Sequence, residues 1–149
     1  MEHWKGCALP GLQSEEGKGT NEMPINSKQK GAKFERKLAS IFRDYGYTGA
    51  RRTAQYCGNT GDASDVVGLP HIHVEAKHVE RMELYPWMAQ AVRDAEANGK
   101  GELPTVFHKK NNADILVTMR LDDWMNLYRE FEAGFPLDNE NTDENREEE

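Results

Sequence analysis

The chain has 149 residues, 26 acids against 19 bases for a formal charge of −7, and two cysteines. That length suits one domain with a core of its own, and Cys7 and Cys57 form no CxxC or zinc spacing. The longest apolar run is far short of the ~20 residues of a membrane span, and Met1 to Leu12 lacks the apolar segment of a secretion signal, so we expect no membrane partner and a reduced, cytoplasmic setting.

Charge is unevenly spread. From Ser27 to Tyr56 eight bases stand against Glu35 and Asp44, whereas Asp138 to Glu149 holds seven acids against Arg146. Such asymmetry points to a basic binding face and a solvated acidic tail, although any one of those lysines could sit on a plain wet helix face.

Residues 1–26 carry Gly, Pro, Ser, Glu and Asn with little periodicity and read as a flexible arm. From Ser27 the pattern turns helical. Phe34, Leu38, Ile41, Phe42 and Tyr45 share one helical face, and Gly46 is a natural stop. Glu35 lies on the rim of that face, where a carboxylate can look into the fold or simply add to a charged helix. Tyr47 to Tyr56, with Arg51-Arg52-Thr53, predicts a first strand. Cys57 to Asp62 then breaks regularity with two glycines. Beside arginines such a loop can offer backbone N–H groups and guanidinium forks to phosphate, or be only a loop.

Next, Ala63 to Leu69 and Ile72 to Lys77 flank Gly68-Leu69-Pro70-His71, which turns a chain rather than extends it, and a β-hairpin follows. Folded about Leu69-Pro70, Asp65 falls opposite Glu75, roughly 5 Å away. Alternation places His71, His73, Glu75 and Lys77 on one face and Ile72, Val74 and Ala76 on the other. A half-exposed hairpin with its charges in water is the plain reading. The cluster also has a chemical use. Two carboxylates about one ion apart hold Mg²⁺ or Mn²⁺ through oxygen. A lysine beside them can orient or deprotonate a water and neutralise charge developing on phosphorus. His-x-His-x-Glu offers zinc-type ligands as well, but no closing ligand is evident, so the alternate histidines are read as ordinary, with His73 a minor helper beside Glu75.

After a polar connection from His78 to Glu83, Pro86 can open a second helix with Met88, Ala91, Val92 and Ala95 as its apolar stripe, ending near Asn98-Gly99. On that wheel Gln90 falls nearly opposite the stripe. Leu103 to Lys110 and Ala113 to Met119 predict two strands joined at Asn111-Asn112. Asp122 or Asp123 caps a last helix with Trp124, Tyr128 and Phe131 along one side. We expect a domain over 27–136 in the order α-β-β-β-α-β-β-α, and a disordered acidic tail over 137–149.

Asp65, nine residues, then Glu75-Ala76-Lys77 resembles the PD-(D/E)XK nuclease signature, with Ser64 where the proline often stands. Lys30-Gly31-Ala32-Lys33-Phe34-Glu35-Arg36-Lys37-Leu38 is similar to the KG-x-x-x-ER-x-L opening of archaeal-type Holliday junction resolvases. Tyr45-Gly46-Tyr47, followed by Arg51-Arg52 and a Gly-containing loop, is similar to that family's segment before the Asp, and Met88-Ala89-Gln90-Ala91 and Phe107-His108-Lys109-Lys110-Asn111 are similar to segments of phage and prophage relatives. The likeness covers about Lys28 to Arg129. It implies an α/β, restriction-endonuclease-like fold with a central mixed sheet and flanking helices. It further implies Mg²⁺, with Mn²⁺ as substitute, held by Asp65, Glu75 and the Ala76 carbonyl, with Glu35 completing or supporting the site and Lys77 as the catalytic lysine. Lys30, Lys33, Arg51, Arg52, Asn59 and Thr60 stand where DNA is contacted, and Gln90, His73 and Lys109 are secondary candidates. The activity implied is endonucleolytic hydrolysis of branched DNA by a homodimer in a bacterial cell or a phage-infected host. Nicking or single-strand cleavage on the same scaffold, and a non-catalytic DNA-binding role, are the rivals.

Overall fold

A computed structural model of the chain describes residues 26–53 and 64–135. The expected arm, Asn59, Thr60 and their loop, and the acidic tail lie outside the described residues.

Helix α1 spans Ser27–Asp44. Asn26 is its N-cap and accepts from the Lys28 N–H at 3.1 Å, satisfying one of the donors that a helix start leaves open. Gly46, at φ 100°, ends it as the sequence predicts. Phe34, Leu38, Ala39 and Phe42 are buried, but Tyr45 is 64% exposed because it falls in the cap, beyond the last helical turn. The expected strand from Tyr47 is shorter. Tyr47 to Ala50 forms a turn closed by the Ala50 N–H on the Tyr47 carbonyl at 3.0 Å, and among the described residues β1 is only Arg51–Arg52.

The hairpin follows as β2, Val66–Val67, and β3, Ile72–His78. Gly68 and His71 both adopt positive φ, so His71 belongs to the turn and not to the charged face of the strand. Helix α2 (Leu84–Asn98) leads to β4 (Leu103–Lys109), β5 (Leu116–Met119) and α3 (Leu121–Ala133). The sheet order is β1-β2-β3-β4-β5, antiparallel except where β3 runs parallel to β4 across the α2 connection. This is the mixed sheet with flanking helices, in the order α-β-β-β-α-β-β-α, of a restriction-endonuclease-like core.

The two sheet faces explain why both halves of β3 matter. Val66, Val74 and Phe107 pack with Phe34, Leu38 and Phe42 of α1. On the opposite face Glu75 stands beside Val106, which packs with Trp87 and Ala91 of α2. The charges of β3 are therefore not on a wet side. His73 is fully buried and Glu75 is 4% exposed, beneath α2.

Two helices differ from their expected phase. In α2 the buried stripe is Trp87, Ala91 and Ala95, with Met88 and Val92 half-buried beside it, and Pro86 is the third helical residue. In α3 the N-cap position is Arg120, whose Nε donates to Asp123 Oδ2 at 2.9 Å; Asp122 and Asp123 lie in the first turn, where negative charge suits the helix dipole. Trp124 and Tyr128 do share a side and stack at 5.1 Å, yet both are exposed.

His108 of β4 carries a pH prediction. It is buried, its ring lies 6.3 Å from that of Trp87, its Nε2 is 2.9 Å from Thr118 Oγ1, and its Nδ1 has no partner among the described residues. Burial holds its pKa below the usual histidine value of 6.5. The unfolded chain thus takes up a proton that the folded chain refuses, and this residue's contribution is lost as pH falls below about 6.5. In thermal melts at pH 7 and pH 5, His108→Gln should show a smaller acid-induced loss of melting temperature than wild type. An equal loss in both proteins would contradict this.

Candidate active site

Hairpin register builds the site. Val66 opposite Val74 carries Asp65 to the position facing Glu75. The Asp65 N–H donates to the Val74 carbonyl at 2.8 Å, its Oδ2 accepts from the Ala76 N–H at 2.8 Å, and its own carbonyl accepts from the Thr53 N–H at 2.9 Å. Two bonds thus tie Asp65 to β3 and a third to Thr53 at the end of β1. Two positions after Glu75, Lys77 returns to the same face. Its Nζ lies 2.7 Å from Glu75 Oε1 and donates to Gln90 Oε1 at 3.2 Å.

The electrostatics are strained. Asp65 is pushed up to about 7, first by burial, then by the negative charges of Glu75 and Glu35; the Ala76 N–H and Lys77 pull the other way. Lys77 does not balance the acids. A divalent cation bound through oxygen would, and the paired Asp65 and Glu75 carboxylates are the hard donors that Mg²⁺ or Mn²⁺ takes.

Glu35 is arranged differently. It projects from α1, packed on the opposite sheet face, and is ion-paired to Arg52 Nε. Its charge reaches Asp65, but it belongs to no tight ligand cluster among the described residues. Arg52, expected at phosphate, is thereby committed to Glu35. The cluster that does form is His73, Glu75 and Asp94, with one ligand atom from each within 4.8 Å of the others. His73 Nδ1 lies 3.1 Å from the Oγ of buried Ser64, which also accepts from the Val74 N–H at 3.3 Å.

Around this centre the bases are spread along the sheet: Lys109 stands opposite His78 at the far end of β3, whereas Arg51 pairs with Val67 beside the hairpin turn. Lys33 and Arg51 are exposed, and Lys30 lies 3.7 Å from Glu80. Lys109 is held below the usual lysine value by burial and then by the positive charges of Lys37 and Lys30, with Asp114 opposing. Lys30, Lys37 and Lys109 therefore stand close enough to repel.

A family model described as "Phage putative PDDEXK endonuclease" matches residues 26–148. The chain belongs to this family. PDDEXK nucleases generally use divalent metal ions, which agrees with the Asp65 and Glu75 pair. One solved structure, that of Archaeoglobus fulgidus Hjc, a Holliday junction resolvase from an archaeal hyperthermophile, is 22% identical, with 60% of this chain and 76% of Hjc covered and a TM-score of 0.41. No curated protein matches. Among the described residues no helix is long and apolar enough to cross a membrane.

For this PDDEXK chain, sequence reasoning left Gln90 on the wrong side of α2 and passed over Asp94 and Lys37. The signal for the last was present: Lys30, Lys33 and Lys37 recur at spacings of three and four, one stripe of α1. Gln90 and Asp94 follow from the rotated α2 stripe, since they lie one turn apart on the flank of Trp87, Ala91 and Ala95.

Proposed function

We propose that the chain is a divalent-cation-dependent endodeoxyribonuclease that cuts branched DNA, Holliday junctions or related phage recombination and packaging intermediates, in the cytoplasm of a bacterial or phage-infected cell. The observation that carries this reading is the Asp65, Glu75 and Lys77 arrangement, with Lys77 held between Glu75 and Gln90. A protein that only bound DNA would gain nothing from buried acids, which repel phosphate.

Asp65, Glu75 and the Ala76 carbonyl would hold Mg²⁺, or Mn²⁺ in its place. When bound, the cation supplies a Lewis acid at the phosphoryl oxygen. Lys77, tethered by Glu75 and Gln90, orients the attacking water and neutralises negative charge growing on phosphorus. Gln90 is a positioning residue for Lys77. Water adds to phosphorus, the bond to the 3′ oxygen breaks, and the products carry a 5′-phosphate and a 3′-hydroxyl. Glu35 supports the site at a distance by holding Arg52 and adding negative charge near Asp65. Two cuts on opposed strands need two such sites, hence a homodimer.

Lys30, Lys33 and Arg51, joined by Lys37 and Lys109, supply backbone contacts, which orient DNA without reading its sequence. Neutralising Lys30, Lys33, Lys37 and Arg51 together should weaken binding to every DNA shape. The slope of log affinity against log salt should shallow by up to about 3.6, near 0.9 for each of the four lost phosphate contacts. A slope that does not move would place these four charges in solvent.

Substrate choice is tested by cleavage of matched four-way, Y-shaped, duplex and single-stranded DNA. Preference for the four-way or Y form supports the branched-DNA reading. Equal rates on plain duplex, or cutting confined to single strands, replaces it with a nuclease of another substrate.

A further inference from the structure

We propose that His73, Glu75 and Asp94 form a second cation site beneath α2, selective for a transition-metal ion such as Mn²⁺ or Zn²⁺ and sharing Glu75 with the Asp65 pair. It goes beyond the nuclease reading and does not depend on it.

Two separate observations meet here. A histidine nitrogen and one oxygen each of Glu75 and Asp94 lie within 4.8 Å of one another. Ligands that bind one ion at about 2.0–2.2 Å sit roughly 3–4 Å apart, so the cluster needs only slight closure. Independently, His73 is fully buried and its Nε2 has no hydrogen-bond partner among the described residues. Buried polar atoms nearly always find one. Two carboxylates stand within reach of the ring, yet neither takes that nitrogen in a hydrogen bond.

The other ring nitrogen is already placed. Nδ1 lies 3.1 Å from Ser64 Oγ. With Nδ1–H donating to that oxygen, the lone pair is on Nε2, the arrangement in which ligating histidines are usually fixed by a neighbouring hydrogen bond. Ser64 thus acts as a positioning residue. Lys77 pairs with Glu75, and exposed Arg93 lies 3.8 Å from Asp94, so neither cation reaches the bare Nε2 lone pair that a metal ion would take.

Donor chemistry sets selectivity. An imidazole beside two carboxylates suits Mn²⁺ and Zn²⁺, whereas Mg²⁺ favours all-oxygen surroundings. Asp94 is the closing ligand, one helical turn beyond Gln90.

The test uses the full chain without DNA and Mn²⁺ alone as the probe. Pulsed electron paramagnetic resonance reports imidazole nitrogen coupled to bound Mn²⁺, and a titration gives the affinity of the coupled ion. Wild type and Asp65→Asn should both show nitrogen coupling. His73→Gln should abolish it. Asp94→Asn, at a half-buried position that tolerates an isostere, should weaken binding of the coupled ion at least tenfold with the thermal melt retained, and it carries the test where His73→Gln fails to fold. No nitrogen coupling in wild type at saturating Mn²⁺, coupling that survives in folded His73→Gln, or unchanged affinity in Asp94→Asn would each overturn the proposal. None of these readouts requires cleavage, so failure of the nuclease reading leaves this test standing, and the reverse.

Discussion

Asp65→Asn is expected to lose DNA cleavage by on the order of 10³-fold or more while the cation-free protein melts at a higher temperature than wild type. The loss follows from removing one of two anionic oxygen donors, since charge stabilisation by a bound metal ion contributes several kcal/mol and each ~1.4 kcal/mol is tenfold in rate. The gain in stability has a different origin. Asp65 is half-buried, and its pKa is raised to about 7 by desolvation and by Glu75, so its ionised form disfavours the fold. The linkage is opposite to that of His108. The folded chain holds a proton that the unfolded chain releases, so this term is least unfavourable at acid pH and grows as pH rises from about 4 to about 7. An asparagine keeps an oxygen to accept from the Ala76 N–H and removes the charge. Cleavage kinetics paired with melts at pH 8 without added metal check both halves. Wild-type cleavage by the variant would refute the site, and a clearly lower melting temperature would refute the account of its strain. Sites tuned for chemistry commonly cost stability in this way.

Gly68→Ala should be among the most damaging single-methyl additions to the fold. Gly68 has φ 91°, and a Cβ there would meet the Gly49 carbonyl oxygen at 2.5 Å and Ala50 Cα at 2.7 Å. Those neighbours are backbone, leading into β1, and cannot rotate aside. Positive φ alone costs a non-glycine residue about 1–2 kcal/mol. With the clash, a loss of roughly 2–4 kcal/mol is expected, and because Asp65 hangs from the same hairpin, cleavage should fall as well. Gly46 gives the comparison: its φ is 100° and nothing lies within 4 Å of an added Cβ. Urea unfolding of Gly46→Ala therefore reports the backbone strain alone. If Gly68→Ala is no more destabilised than Gly46→Ala, the close approach of β2 to Ala50 does not matter energetically.

How far the sequence could be read depended on whether a signal was local. The hairpin was legible because Gly68 and Pro70 mark a turn and β3 alternates with period two, which also put Glu75 and Lys77 on one face. Helix α1 was legible through its stripe and its Gly46 stop. The phase of α2 was not, since Trp87 and Met88 are both apolar neighbours and either could anchor the stripe. That one-residue rotation decided the positions of Gln90 and Asp94. The burial of His73 and Glu75 depends on parallel pairing of β3 with β4 and on α2 crossing above them, a long-range arrangement that no spacing within β3 reveals. The Glu35 and Arg52 pair joins a helix to a strand 17 residues later for the same reason. Asp123, read as a helix cap, instead binds Arg120, because the helix begins earlier than the acid pair suggested.

The central claim is metal-dependent hydrolysis at the Asp65 and Glu75 pair. Its most direct measurement is cleavage of end-labelled four-way junction DNA by the purified wild-type chain, with Mg²⁺ and with a chelator in excess, followed by analysis of the product ends. Cuts that require Mg²⁺ or Mn²⁺ and leave ligatable 5′-phosphate and 3′-hydroxyl ends are the expected result. No cleavage of any DNA form with either ion, or cleavage undiminished by the chelator, would contradict it.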